Sequence, residues 1–405
     1  MTVALRDVVG NALPPAQNTV ERIRTSVSVH RDIAAIETVW RQLAASQSIA
    51  SPYQSFDWVS LWHRYVSGPL GQEPMIVVGR DASGVPAFIW PLVIKALGPL
   101  RIATFFGGKH ATLNMAHWRT DVAETFSAAD MRETLSDIAR QRPNVDLMFL
   151  HSQPASWNGT RNPFMALPHQ RADKDNLVLH FGPGASAEAS LAQSVRRRLR
   201  KKERKLAELP GYRYLTAAST DDVERMLDRF FQQKAAKLRS LGIANVFAQP
   251  GIEDFIRAAC RHGLPSGQPL IELHALEVDG DMPALFSGIH DGQRFSLMFN
   301  SHTESDASRF SPGLILLKHI IDECARRGFG SFDIGPGEAH YKSHFCKDIE
   351  LIYDSVLPLS ARGALAAPAL RAALSTRSMI KRNPLLWRIA HRVRSRFTGR
   401  RQSGN

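Results

Sequence analysis

The chain has 405 residues with 44% hydrophobic and 22% charged residues, a composition that excludes a disordered, fibrous or disulfide-rich protein. That length accommodates two to three domains. Its 51 basic and 38 acidic residues give a formal charge of +13, and no stretch reaches the ~18 unbroken apolar residues that span a bilayer.

The opening, MTVALRDVVGNALPPAQNT, lacks an apolar core behind a basic start, so no secretory signal is expected. Residues 1–22 read as a flexible leader. From Ile23 a regular order begins. Ile33, Ile36, Val39, Trp40 and Leu43 predict a helix over 32–45, and Trp58, Leu61, Trp62 and Tyr65 predict another after Ser55. Strands follow at 75–79, 87–94 and 101–106, the last ending at Gly107-Gly108. A helix at about 127–141 leads to strand 145–150, and 152–176, rich in Pro, Asn and Gly, reads as a connection. The same order then returns. Helices are predicted at about 187–209, 221–240 and 251–262, and strands at 212–216, 270–278, 283–290 and 294–300, with Asp291-Gly292 as a hairpin turn. Ser311-Pro312-Gly313 opens a helix to Arg327, and strand 329–334 closes the series. This predicts an α/β (α+β) protein of two lobes, 23–180 and 186–358, each a mixed, largely antiparallel sheet flanked by helices, with a basic tail at 362–405.

The charge is concentrated. Residues 196–205, RRRLRKKERK, hold eight basic residues and one acid; from Ser355 to Asn405 there are eleven basic residues and no acid. These segments, at +7 and +11, leave the rest of the chain at −5. They suit a polyanionic partner: a phosphate-rich cofactor, nucleic acid or an anionic membrane surface. Trp387, Ile389, Val393 and Phe397 interleave the basic residues of the tail, which reads either as an amphipathic membrane-surface element or as a solvated terminus. The 196–205 run reads either as an anion site or as the solvated face of a helix whose inner stripe is Leu191, Val195, Leu199 and Leu206.

Chemistry is most concentrated in 270–345. The helix opening at Ser311 offers a capping hydroxyl, Pro312 in its first turn, Gly313 for close approach of a ligand, and a positive dipole end suited to a pyrophosphate; Arg309 stands two residues before it. The stretch Asp333-Ile334-Gly335-Pro336-Gly337-Glu338-Ala339-His340-Tyr341-Lys342 then leaves a strand and delivers acids, a phenol and an amine together. Asp333 reads equally as a turn cap, Tyr341 as a half-buried core residue and Lys342 as solvated. His340 and His344 have no third ligand, so no metal is expected. Gly107-Gly108-Lys109-His110 lacks phosphate-loop spacing and reads as a turn. Cys260, Cys324 and Cys346 match no metal or redox spacing and read as reduced thiols of a cytoplasmic protein.

The run SPGLILLKHIIDECARRGFGSFDIGPGEAHYK resembles the C-terminal signature of the GNAT-type acyltransferases known as CelD-like or BioF2-like acetyltransferases, relatives of the Fem peptidyl transferases. SLAQSVRRRLRKKERKL resembles that family's basic helix, and SPYQSFDWVSLWHRY its first lobe. The resemblance implies two GNAT-like lobes and transfer from acetyl-CoA or another acyl-CoA, without a metal, to a small-molecule amine or hydroxyl such as a polysaccharide precursor. In place of the usual Arg/Gln-x-x-Gly-x-Gly/Ala loop the chain has Arg309-Phe310-Ser311-Pro312-Gly313-Leu314, with one glycine. On this reading Asn300, Arg309, Ser311, Gly313 and Leu314 hold the donor. Asp333 or Glu338 serves as base or acceptor-binding acid, Tyr341 protonates the leaving sulfur, and Lys342 holds an anionic group. The alternatives are a Fem-like transferase that takes aminoacyl-tRNA through the basic helix, and a non-catalytic scaffold of a polysaccharide-synthesis complex. The expected location is the cytoplasm, peripheral to the inner membrane face where the tail docks.

Overall fold

The computed structural model describes residues 25–182, 184–304, 306–336, 342–346 and 348–383. In chain order the principal elements of the first half are β1 (Ser26–His30), α1 (Glu37–Ala44), α2 (Phe56–Trp62), β2 (Glu73–Arg80), β3 (Pro86–Leu97), β4 (Leu100–Phe105), α3 (Ala128–Gln141), β5 (Leu147–Pro154) and β6 (Asn176–His180). The second half has α4 (Gln193–Ala207), β7 (Arg213–Thr216), α5 (Thr220–Ser240), α6 (Ile252–Arg261), β8 (Glu272–Val278), β9 (Asp281–His290), β10 (Arg294–His302), α7 (Pro312–Arg326), β11 (Ser331–Pro336), β12 (Asp348–Glu350), β13 (Ile352–Pro358) and α8 (Ala361–Arg382). Local chemistry sets many boundaries. Ser55, Ser127, Ser219 and Ser360 each accept a backbone N–H from the first turn of the helix they precede, and Ser127 pairs with Asp130 in a capping box.

Two mixed sheets result, as the sequence reading expects. The first runs β1-β2-β3-β4-β5-β13 and ends on the short strand Gln170–Arg171; the second runs β7-β8-β9-β10-β11-β6-β12. Strand β6, at the end of the predicted first lobe, sits in the second sheet, antiparallel to β11 and β12. Strand β13, within the predicted second lobe, sits in the first, antiparallel to β5. The two halves of the chain thus exchange strands. They also share one core, in which Trp58 and Trp62 of α2 meet Phe255 of α6 edge-on at 4.8 and 4.9 Å.

The lobes repeat one motif with different outcomes. In each, an antiparallel strand pair is followed by a helix and then by a strand that returns parallel. In the first lobe β4 and β5 pair over Ile102–Thr104 and Leu147–Phe149; beyond that point the loop after β4 bonds to β5, Asn114 N donating to Ser152 O at 2.9 Å. In the second lobe β10 and β11 pair only over Arg294–Ser296 and Ser331–Asp333. From Leu297 onward β10 pairs only with β9, and β11 with β6, so the two strands part.

Candidate active site

The parting strands lead to the N-terminus of α7. There Phe286, Asn300, His302, Thr303, Ser308, Ser311, Pro312, Gly313 and Leu314 line an open cleft of about 340 Å³. Four residues predicted to hold a donor, Asn300, Ser311, Gly313 and Leu314, therefore share one cleft. Arg309 does not line it: its guanidinium lies on the Phe310 ring at 4.8 Å. Helix α7 is anchored through Ile315, Leu316, Leu317, Ile320, Ile321 and Cys324, all buried, which fixes its first turn against the sheet.

That turn differs from expectation in one respect. Ser311 has a left-handed backbone (φ 58, ψ 54), and its hydroxyl does not cap the helix. A capping side chain needs an extended backbone to reach the second or third amide. The Ser311 hydroxyl instead accepts from Lys202 Nζ of α4 at 2.7 Å. Pro312 has no N–H, and Leu314 and Ile315 both donate to Ser311 O at 3.0 and 3.3 Å, so Gly313 carries the first-turn amide without a bond among the described residues. A side-chain ammonium thus stands where the glycine-poor loop supplies few amides. The sequence shows the basic run but not this contact, because Lys202 and Ser311 are brought together only by helix packing.

Strand β10 carries a bulge beside the cleft. Met298 and Phe299 stand opposite the single residue Ser287, whose hydroxyl both accepts from Phe299 N and donates to Phe299 O at 3.2 Å. Bulges re-aim backbone groups and recur beside functional sites. Nothing in the local sequence announces this one. Lys234 Nζ donates to Asn300 O at 2.9 Å, and His302 has its imidazole pKa lowered by desolvation and by the charges of Lys237 and Lys234.

Asp333 occupies a different place. It is fully buried where the β10–β11 ladder ends, and its carboxylate accepts from Arg294 Nε (3.3 Å) and Nη2 (3.1 Å), Ser296 Oγ (2.7 Å) and Gly335 N (2.7 Å). Arg294 in turn bonds Glu350 at 2.7 and 3.0 Å and lies 4.4 Å over the Trp157 ring, while Asn176 Nδ2 donates to Glu350. Burial opposes the Arg294 charge, yet the Asp333 and Glu350 carboxylates hold its pKa above the ordinary value. The buried phenol of Tyr53, from the first lobe, has its pKa raised by burial and then by the Asp333 charge; its hydroxyl meets Thr112 Oγ1 at 2.8 Å. Lys342 folds back on the strand end, Nζ donating to Gly335 O and Pro336 O at 3.0 and 3.2 Å, and burial lowers its pKa to about 8. Glu338 and Tyr341 lie outside the described residues, as does His340.

Beside the cleft, α4 displays Arg197, Arg198, Lys201, Arg204 and Lys205, all exposed and without an ion-pair partner among the described residues. Arg200 is paired with Glu188, and Glu203 with Lys318 and His319. Among the described residues no cluster of three His, Cys, Asp or Glu side chains is placed to hold a metal, and no helix is long and apolar enough to cross a membrane.

In the second lobe the strand–helix–strand unit has diverging parallel strands and a cleft at the helix start, the arrangement of a GNAT-like fold. Residues 193–343 match the family described as the acetyltransferase (GNAT) domain, so the chain carries such a domain across α4 to α7 and the site above. No curated protein matches the chain. Among solved structures, FemX overlays with a TM-score of 0.57 at 8% identity, covering 84% of this chain and 98% of that one, which extends the likeness of fold across both lobes. A tandem GNAT protein from the clavulanic acid biosynthesis pathway gives 0.43 at 8% identity (83% and 99% covered). A conserved protein of unknown function from Bacteroides thetaiotaomicron gives 0.49 at 12% identity (82% and 100% covered).

Proposed function

We propose that the protein is an acyl-CoA-dependent acyltransferase whose donor lies in the α7 cleft and whose acceptor is a polar small molecule bearing an amine or hydroxyl, with a polysaccharide precursor as the leading class. The observation that carries this reading is the stretch of β10 from Leu297 to His302, parted from β11 and meeting the start of α7, inside the segment that matches the acetyltransferase domain. A thioester donor supplies the activated acyl group. Gly313 N–H and the Lys202 ammonium would meet its diphosphate, and Asn300 with the bulged backbone at Met298 would orient its arm and acyl oxygen. His302, kept neutral by desolvation and neighbouring cations, is a candidate proton acceptor. Asp333 serves as the anchor of Arg294 rather than as a base, because its oxygens are occupied by internal donors. Glu338 and Tyr341 keep their proposed roles as acceptor-binding acid and proton donor.

Calorimetry with acetyl-CoA tests this reading. The wild-type chain is expected to bind, and Gly313→Glu, which sets a carboxylate at the cleft floor, is expected to abolish binding with an unchanged circular dichroism spectrum. Absence of wild-type binding at millimolar acetyl-CoA would sink the proposal.

A second reading, transfer from aminoacyl-tRNA, is favoured by the unpaired cations of α4 beside the cleft. Under it, tRNA co-purifies and is released steeply by salt. The proposed location is the cytoplasm.

A further inference from the structure

We propose that α8, with the arginine-rich segment that follows it, docks the protein on an anionic lipid surface. The helix has 22 residues, about 33 Å at 1.5 Å per residue. Its inner side is fixed to the first sheet. Ala367, Leu370 and Leu374 pack with Ile102, Leu147 and Val356. All five of its cations bond back to the protein: Arg362 to Pro99 O (2.8 Å), Arg371 to Val356 O (2.6 Å), Arg377 and Lys381 to Asp173, and Arg382 to Asp175 (2.7 Å).

The consequence is an outer stripe without charge. Leu365, Ala369, Ala372, Thr376 and Met379 follow one another at intervals of three and four residues, and all are exposed. Leu365 is 84% and Met379 58% exposed, the first being the most exposed large apolar side chain among the described residues. A helix facing bulk water ordinarily carries charged side chains on its outermost stripe; here each cation is held by a bond to the protein off that stripe, although Arg362 and Arg377 stay exposed.

Charge complementarity selects the occupant. Residues 384–405, directly after this helix, contain six arginines (Arg388, Arg392, Arg394, Arg396, Arg400 and Arg401) and no Asp or Glu, with Leu385, Leu386, Trp387, Ile389, Val393 and Phe397 among them. An uncharged apolar stripe continuous with a basic, aromatic-bearing segment matches a surface that offers anionic headgroups above acyl chains. A second copy of this chain would bring its own six arginines of 384–405 against the same charge.

Flotation of the full-length chain with phosphatidylcholine vesicles, alone or with 40% phosphatidylglycerol, tests this. Binding to the anionic vesicles is expected to exceed binding to neutral ones about tenfold at low salt and to fall as salt screens the arginines. Leu365→Glu with Met379→Glu is expected to weaken anionic-vesicle binding about tenfold. Both side chains are exposed, so the fold, followed by circular dichroism, should be unchanged. Replacing the six arginines with Gln should remove the salt dependence. Equal binding to both vesicle types, or binding undiminished by the two glutamates, overturns the proposal. A concentration-dependent dimer abolished by the glutamates would assign the face to a second copy, and capture of RNA without vesicle binding would assign the arginines to nucleic acid; either result also overturns it.

Discussion

The burial of Asp333 makes Asp333→Asn a decisive substitution. The change is nearly isosteric, so any loss comes from charge and hydrogen bonding rather than from a cavity. In the wild type one carboxylate receives two N–H groups of Arg294, the Ser296 hydroxyl and the Gly335 amide, with no solvent exposure. The amide retains one acceptor oxygen and turns an N–H₂ toward donors, so Arg294 keeps only Glu350 as a charged partner. Breaking one side of a buried ion pair costs about 3–5 kcal/mol. Glu350 is one-fifth exposed and continues to neutralise Arg294, which places the expected loss at the lower end, about 3 kcal/mol. Guanidinium unfolding of the purified variant measures this directly. Glu350→Gln, at the more solvated end of the same network, is expected to cost about 1–2 kcal/mol. A variant that unfolds within ~1 kcal/mol of the wild type yet loses acyl transfer outright would refute the reasoning and return Asp333 to the role of base.

Other expectations follow from single geometries. Burial, with a contribution from Asp173, raises the Asp354 carboxyl to about 6, above the 3.8 expected of the unfolded chain. Its protonated form is therefore favoured in the fold, and stability is lost as pH rises from about 4 to 6; Asp354→Asn should stabilise the protein by about 1–3 kcal/mol at pH 7.5 and by almost nothing at pH 3.5, read from unfolding midpoints at the two values. Gly251 has φ +74, and a Cβ there would lie 1.8 Å from Tyr65 O, where the lobes meet. Gly251→Ala should cost more than about 2 kcal/mol and lower the unfolding midpoint; a neutral result would mean that the lobes do not approach there as described. Lys202→Met should raise the KM for acetyl-CoA about tenfold with little change for acetyl-pantetheine, which has no diphosphate; an equal effect on both donors would remove Lys202 from diphosphate binding.

Periodicity alone located nearly every helix and the central strands of both sheets, because each buries one face against a core and so writes its period into the chain. The motif Ser311-Pro312-Gly313 and the strand residue Asn300 were also legible as one cleft, since consecutive β10 and α7 are close in space whatever the rest of the fold does. Local pattern is silent on which sheet a strand joins. Strands β6 and β13 are short and lie next to segments of their own half, yet each pairs with the opposite sheet. Backbone hydrogen bonds between distant segments carry no sequence signature. The same limit hid the partners of Asp333. The sequence shows an acid at a strand end; only the fold shows Arg294, Ser296 and, behind them, Glu350 from another strand converging on it. The basic run 196–205 announced its charge, but only the packing of α4 on α7 decided that Lys202 would stand at the cleft while its neighbours face solvent.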